Sequence, residues 1–166
     1  MNLLGVDPGK TGALARFADG APDIVVDMPL GVHGVDGLGV WHLLLDWQID
    51  EAFIESTHAM PTNGSKAAFS QGDSNGALRT AIGIAGIPLT WVPPRAWQTH
   101  AGLFAMTSGV KMTMTERKRR ARMRAIELMP TMVDYLDRAK DHNRAEALLI
   151  GRFGCATSIM SAVADG

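Results

Sequence analysis

Cysteine is nearly missing from this sequence, since Cys155 is the one cysteine among 166 residues. A single thiol excludes an internal disulfide and a zinc site built from several cysteines. Long hydrophobic runs are missing too, because no apolar stretch approaches the roughly 18 residues that a membrane span requires. The beginning, Met1-Asn2 and then an apolar run, lacks the basic segment and cleavage site of a signal peptide. We therefore expect a reducing, cytoplasmic setting and no membrane partner.

An excess of charge is missing as well, because the formal net charge is -1. Taken alone, that balance argues against a nucleic-acid partner. The distribution argues for one, since seven of the 16 basic residues lie between positions 111 and 124, opposed there by Glu116 alone. They are Lys111, Arg117, Lys118, Arg119, Arg120, Arg122 and Arg124. Such a patch is either a solvated helix face or a contact for a polyanion, and we favour the polyanion.

The length and the 46% hydrophobic content suit one domain, residues 1–166, with a substantial core. Apolar runs separated by turn residues predict first an antiparallel meander of three strands, and then strands that alternate with helices. The expected strands are 2–6, 12–17, 24–26, 52–55 and 87–92. The expected helices are 40–47, 65–86, one capped by Thr115 that reaches 129, and one from 142 to 153 or beyond. This order predicts an α/β fold with a mixed five-stranded sheet flanked by helices.

The first turn, Gly9-Lys10-Thr11, looks at first like a phosphate-binding loop. A P-loop would need glycine at position 4, where the sequence has leucine, and it opens directly into a helix. Here a short strand follows instead. A second nucleotide interpretation is the Asp-x-Gly-x-Thr loop of the actin and hexokinase ATPase superfamily. That fold needs two such domains, which is more than this length allows.

Four acids lie where distant segments can converge. Asp7 ends the first strand, Glu55 ends the fourth, and Asp141 and Glu146 lie at the start of the last helix. Several carboxylates are the ligands that Mg²⁺ prefers, and a pair of such ions supports phosphodiester hydrolysis. Each acid has an ordinary alternative as a solvated loop residue or a helix cap, as for Asp141. Glu146 lies in an apolar run, where an unpaired carboxylate is costly.

The fourth ligand remains open between two residues. Asp141 precedes Glu146 by five positions, about 140° around a helix, so the two share a face only if Asp141 lies before the helix begins. His142 and Asn143 precede Glu146 by four and three positions and share its face. Asp141 is the harder oxygen ligand, while His142 has the better helical geometry. We expect Asp141, with His142 as the alternative.

Three motifs carry a resemblance to a known family. Gly5-Val6-Asp7-Pro8-Gly9 resembles the opening of RuvC-type Holliday-junction resolvases, which belong to the RNase H-like superfamily. Phe53-Ile54-Glu55 resembles the glutamate that ends their fourth strand, and residues 146–151 (EALLIG) resemble their acid-bearing last helix. The stretches WVPPRAWQ (91–98) and RAEALLIG (144–151) are similar to compact forms from bacteriophages and prophages. The likeness runs along nearly the whole chain.

The resemblance implies an RNase H-like fold, a homodimer, one or two Mg²⁺ or Mn²⁺ ions, and paired nicks across a four-way DNA junction in recombination and repair. It implies a bacterial cell, with a phage or prophage as a source of the gene. Two departures stand out. The family's last helix usually carries its two ligands three residues apart, and three before Glu146 is Asn143. Glu146 also replaces the more common aspartate.

Residues outside the acids are expected to hold DNA or to pack. The predicted phosphate contacts are Lys10, Lys111, Arg117, Lys118, Arg120 and Arg124. Phe69 is expected to pack in the core, with stacking on a base at a junction centre as the alternative. His58 is a candidate for proton transfer or an ordinary loop histidine. Trp91 and Trp97 are expected to pack beside the Pro-Pro turn.

Glycines recur along the helix predicted at 65–86, at positions 72, 76, 83 and 86. Since each costs about 1 kcal/mol inside a helix, they indicate the close approach of another backbone, with a dimer contact as one candidate.

We therefore expect a metal-dependent, structure-selective DNA endonuclease that resolves Holliday junctions. Its catalytic and metal-binding residues are expected to be Asp7, Glu55, Asp141 and Glu146. One alternative is another RNase H-like nuclease that acts on RNA–DNA hybrids or on replication or packaging intermediates. The other is a DNA-binding protein whose metal site has decayed.

Overall fold

Five strands form one mixed sheet in the order β3-β2-β1-β4-β5. The computed structural model of the protein describes residues 1–56, 64–103 and 113–164. The strands are β1 (Asn2–Asp7), β2 (Ala13–Ala18), β3 (Ala21–Asp27), β4 (Glu51–Glu55) and β5 (Leu89–Val92). The first three pair antiparallel, β4 pairs parallel with β1, and β5 pairs parallel with β4. The predicted meander followed by parallel crossovers is confirmed.

Helices cover both faces of the sheet. They are α1 (Gly37–Asp46), α2 (Ser65–Ile84), α3 (Pro94–His100), α4 (Met114–Leu128) and α5 (His142–Ala164), with 3₁₀ segments at Pro130–Leu136 and Ala139–Asp141. A membrane-crossing helix is not found in the described part of the chain, where no helix is both long and apolar enough.

Helix boundaries differ from the prediction where side chains cap the backbone. Helix α4 is capped by Thr113 and not by Thr115, because the Thr113 hydroxyl accepts a hydrogen bond from the Glu116 N–H at 3.2 Å. Helix α1 begins earlier than expected, since the Asp36 carboxylate accepts from the Leu38 N–H at 3.1 Å. Helix α3 was not predicted. Its first residue is Pro94, whose fixed φ suits the first helical turn.

Alternation along β1 divides the hydrophobic core into two layers. Leu3 packs in a core that includes residues of α3, α4 and α5, whereas Leu4 and Val6 pack in a second core with α1 and α2. Successive side chains of a strand point to opposite faces, so β1 contributes to both layers. The central strands are therefore buried on both sides, and their ends at one edge of the sheet open toward the start of α5.

Helix α5 lies unusually close to the sheet because of three glycines. A Cβ atom on Gly5 would lie 2.3 Å from the Ala147 carbonyl oxygen. On Gly151 it would lie 2.3 Å from Cε2 of Phe17, and on Gly154 2.6 Å from Cδ2 of Phe53. These distances leave no space for a methyl group. The direct contact fixes the height of α5 above the sheet, and with it the position of the acid that α5 carries.

Candidate active site

Two of the predicted acids end neighbouring parallel strands. Val6 of β1 pairs with Ile54 of β4, so Asp7 and Glu55 follow in register at the same edge of the sheet. Gly5 faces α5, and so does Phe53, which lies under Gly154. Because side chains two apart on a strand share a face, Asp7 and Glu55 also face α5.

Glu146 reaches the same edge from α5 and interacts with both strand acids. Burial raises the pKa of Glu146 to about 7, with a further contribution from Glu55. Burial, then Glu146 and then Glu55, raise the pKa of Asp7 well above its ordinary value. Burial raises the pKa of Glu55, opposed by a hydrogen bond from Trp97. The structure thus brings Asp7, Glu55 and Glu146 together as three mutually repelling carboxylates.

The chemistry of this set suits a hard divalent cation. Each carboxylate is disfavoured as an anion by burial and by its neighbours, and a dication would offset both effects. The side chains do not already form a cage: within residues 1–56, 64–103 and 113–164, no three His, Cys, Asp or Glu side chains are arranged to hold a metal ion. The donor atoms therefore fit such an ion by type and charge, and binding would require them to draw closer.

Asp141 has other partners than these three acids. Its Oδ1 accepts from the Arg138 Nη2 at 2.7 Å, and its Oδ2 from the Arg138 backbone N–H at 2.8 Å. The side chain is 3% exposed. Burial alone would raise the pKa of Asp141, but the bonds from Arg138 hold it below its ordinary value. Asp141 would have to give up this pairing to bind a metal ion, so its predicted ligand role has a structural competitor.

An ion pair fastens the start of α5 to the sheet. Arg144 donates from Nε and Nη2 to the two Asp27 carboxylate oxygens, at 2.6 and 2.8 Å. Asp27 is the last residue of β3. Together with the Arg138–Asp141 pair, this contact sets the entry of the chain into α5, one turn before Glu146.

The two residues that share the helical face of Glu146 are both engaged. The Nδ1 atom of His142 lies 3.3 Å from the Ala139 carbonyl oxygen. Burial, then Lys118, lowers the pKa of His142, which favours the neutral ring. The Asn143 amide donates to the Thr11 carbonyl oxygen, which ties α5 to the β1–β2 loop. Asn143, three positions before Glu146, is therefore bonded to the β1–β2 loop through its side-chain amide.

Lys118, one of the predicted DNA contacts, interacts electrostatically with the acids. Its charge lowers the pKa of Asp7, Glu146 and His142. Lys10 donates to the His33 carbonyl oxygen at 3.3 Å. Lys10, Lys118 and Lys140 line one cavity of about 410 Å³, together with Asp27 and Asp141. His142 and Asn143 at the start of α5 also line this cavity, which we call the basic mouth.

The remaining basic residues differ in their exposure and in their hydrogen bonds. Arg117 is exposed and Arg120 is half-buried on α4. Arg124 donates to the Ala101 carbonyl oxygen at 2.7 Å and pairs with Glu127 at 2.7 Å. Arg122 donates to the Leu136 carbonyl oxygen at 2.7 Å. Lys111 and His58 lie outside the described residues.

Sequence reasoning missed the second role of Trp97. The expected packing of Trp97 is confirmed, since it is 1% exposed, whereas the packing expected of Trp91 is wrong, since that side chain is 40% exposed. The Trp97 indole Nε1 also donates to the Glu55 Oε1 at 2.9 Å. A buried indole needs an acceptor for its N–H, which is the signal in the sequence that points to such a bond.

Comparison with known proteins identifies the fold. No protein-family model matches the chain, and no curated protein matches its sequence. RuvC of T. thermophilus in complex with a Holliday junction substrate superposes with a TM-score of 0.66 at 18% identity, over 96% of each chain. A further Thermus thermophilus RuvC structure gives 0.64 at 17% identity, over 97% of each chain.

Fowlpox virus resolvase, in complex with its substrate Holliday junction DNA, gives a TM-score of 0.54 at 13% identity, over 98% of this chain and 99% of that one. The mixed sheet with its flanking helices is therefore the RNase H-like fold. Within that class, the architecture is the one seen in RuvC and in the poxvirus resolvase. At these identities the likeness establishes the fold.

Proposed function

We propose that this protein is a divalent-metal-dependent endonuclease that resolves four-way DNA junctions by hydrolysing phosphodiester bonds. The observation that carries the proposal is the convergence of Asp7, Glu55 and Glu146, three carboxylates with raised pKa values at one edge of the sheet. Two solved structures with the same fold, T. thermophilus RuvC and Fowlpox virus resolvase, are complexes with Holliday junction DNA. They support the choice of substrate.

Asp7, Glu55 and Glu146 would hold one or two Mg²⁺ or Mn²⁺ ions. When bound, such an ion supplies Lewis-acid activation of water and of the phosphate. For the fourth ligand, the contacts support His142 over Asp141. A metal-binding histidine usually donates its other ring N–H to a backbone carbonyl, and His142 places Nδ1 beside the Ala139 oxygen. Asp141 is already paired with Arg138.

The DNA backbone would lie across the basic mouth, between Lys10 and Lys118, with Arg117 and Arg120 further along α4. Contacts of this kind position the duplex and carry no sequence information. Phe69 of α2 is 79% exposed, so the prediction that it packs in the core is wrong. An exposed aromatic ring supports the other interpretation, in which Phe69 stacks on a base at the junction centre.

A second copy of the chain would complete the enzyme, because paired nicks require two sites. Gly72, Gly76 and Gly83 lie on one face of α2, and nothing in the described chain lies within 4 Å of a Cβ at any of them. Beside this face, an apolar groove of about 690 Å³ runs between α1 and α2, with the exposed side chains Leu38 and Ile84 in its wall. We propose this face as the dimer contact.

A nicking assay on a labelled synthetic four-way junction tests the proposal. Wild-type protein is expected to cut with Mg²⁺ and not with EDTA. Asp7→Asn and Glu146→Gln are expected to bind the junction and not to cut it. Asp46→Asn, a change at an exposed acid of α1, is the matched control. Full cleavage by either site variant would refute the assignment.

A DNA-binding protein without cleavage is the second candidate, because an amide that is bonded to the Thr11 carbonyl occupies position 143. Junction binding with no nicking, in Mg²⁺ and in Mn²⁺, would favour it. Flap, Y-fork and RNA–DNA hybrid substrates in the same assay distinguish the other RNase H-like activities.

A further inference from the structure

Trp97 makes a polar contact that packing alone does not require. The ring is 1% exposed and belongs to the core between the sheet and α5. Its one polar atom, Nε1, donates to the Glu55 Oε1 at 2.9 Å. Phenylalanine has a similar apolar surface and no N–H group, so it satisfies the packing requirement without the bond.

The direction of this bond is fixed by chemistry. An indole N–H donates and never accepts, so Trp97 can bond only to an oxygen with an available lone pair. A hydrogen bond to an ionised acceptor is about twice as strong as one between neutral groups. The contact therefore favours the carboxylate form of Glu55 and restricts the orientation of its Oε1.

Trp97 is itself held rigidly. Helix α3 begins at Pro94, directly after β5, and the Trp97 carbonyl accepts from the Ala101 N–H at 2.8 Å. Strand β5 pairs with β4 up to Val92 and Glu55. The donor and the acceptor are thus carried by two adjoining elements, which leaves the indole little freedom to move relative to the Glu55 backbone.

We propose that Trp97 is a positioning residue for metal binding: it holds one oxygen of Glu55 so that the carboxylate is already placed when a divalent ion arrives. The inference rests on the proposed function, because it assigns Glu55 to the metal. Partners that orient a ligand typically contribute about 10–100-fold to metal affinity. Trp97 touches neither DNA nor metal in this role, and it acts through Glu55.

Trp97→Phe tests the inference, with Trp91→Phe as the matched control. Trp91 lies in β5 and is 40% exposed, so its loss removes an indole from the same region without touching Glu55. Mn²⁺ binding is measured by electron paramagnetic resonance on protein without DNA. We expect Trp97→Phe to bind Mn²⁺ about 10–100-fold more weakly, and Trp91→Phe to match wild type. Wild-type affinity in Trp97→Phe would overturn the inference.

The half-saturating Mn²⁺ concentration and the plateau rate of cleavage together distinguish a positioning role of Trp97 from damage to the core. With Trp97→Phe, the half-saturating Mn²⁺ concentration is expected to rise by the same factor, while the plateau rate at high Mn²⁺ returns to that of wild type. In a Glu55→Ala background, which removes the acceptor of the Trp97 bond, Trp97→Phe is expected to cause no further loss of Mn²⁺ affinity. A further tenfold loss there would show that Trp97 acts by another route.

A measurement on the wild-type side chain covers the case in which Trp97→Phe does not fold. The four indole N–H resonances are assigned by single Trp→Phe changes, the last by elimination. Added Mg²⁺ is expected to shift the Trp97 resonance and to leave that of Trp91 in place. An unmoved Trp97 resonance overturns the inference while nicking persists. Wild-type protein that neither binds Mn²⁺ nor nicks junctions overturns the proposed function instead.

Discussion

Replacing Gly5 with alanine is expected to impair cleavage through the contact between β1 and α5. The new Cβ would lie 2.3 Å from the Ala147 carbonyl oxygen and 2.4 Å from the Gly151 nitrogen. Ordinary contacts need about 3.5 Å, so the backbone of α5 would have to retreat by about 1 Å. Glu146 adjoins Ala147 and would move with it.

The expected magnitudes follow from this displacement. Overpacking of a closed core costs about 1–3 kcal/mol in the free energy of unfolding. For a chain of this size, each kcal/mol lowers Tm by about 2–4 °C. A misplacement of about 1 Å at a catalytic group can reduce the rate about 100-fold. Junction binding is expected to remain within a few-fold of wild type, because α4 keeps its basic residues.

Thermal unfolding, junction binding and single-turnover nicking are measured on Gly5→Ala beside Gly31→Ala. At Gly31 the added Cβ meets nothing closer than Asp36 Cβ at 3.8 Å, so this control has the same chemical change without the clash. Wild-type Tm and wild-type nicking in Gly5→Ala would refute the packing argument. A lowered Tm with an unchanged rate would refute the link between α5 and Glu146.

Further predictions concern pH, Asp141 and the dimer. The folded pKa of Glu146, about 7, lies above its ordinary 4.5, so the folded state retains a proton that the unfolded state releases. The metal-free protein should lose stability as pH rises from 4.5 to 7, and the Tm difference between wild type and Glu146→Gln in EDTA isolates this loss. Asp141→Asn should lower Tm and keep Mn²⁺ affinity, because its partner is Arg138; a loss of affinity equal to that of Asp7→Asn would make Asp141 a ligand. Gly76→Arg should give a monomer by light scattering, whereas Gly31→Ala should stay dimeric, and a dimer in both would exclude the α2 face.

The order of strands and helices could be predicted from the sequence because apolar runs and turn residues are local signals. The position of Asp7 and Glu55 at strand ends could be predicted for the same reason. Glu146 was recognisable because an acid within an apolar run demands a partner.

Other features depend on contacts between distant residues, which one sequence does not display. Whether Phe69 is buried depends on what covers α2, and the described chain leaves it exposed. Asp141 could be ranked as a ligand by type, but its bond to Arg138 depends on a 3₁₀ turn that no pattern indicated. Trp97 was recognised as a core residue, while its acceptor, Glu55, lies 42 positions earlier.

The internally bonded arginines of α4 affect how strongly DNA affinity would depend on ionic strength. Each phosphate contact releases about one condensed counterion, and the number of contacts sets how steeply affinity falls with ionic strength. Arg122 donates to the Leu136 carbonyl oxygen and Arg124 to the Ala101 carbonyl oxygen. Arg119 pairs with Glu116. If the protein binds DNA as proposed, the electrostatic attraction would therefore rest on fewer cations than the sequence displays. Because fewer phosphate contacts would release fewer counterions, we expect DNA affinity to fall less steeply with salt than the seven basic residues between positions 111 and 124 would suggest.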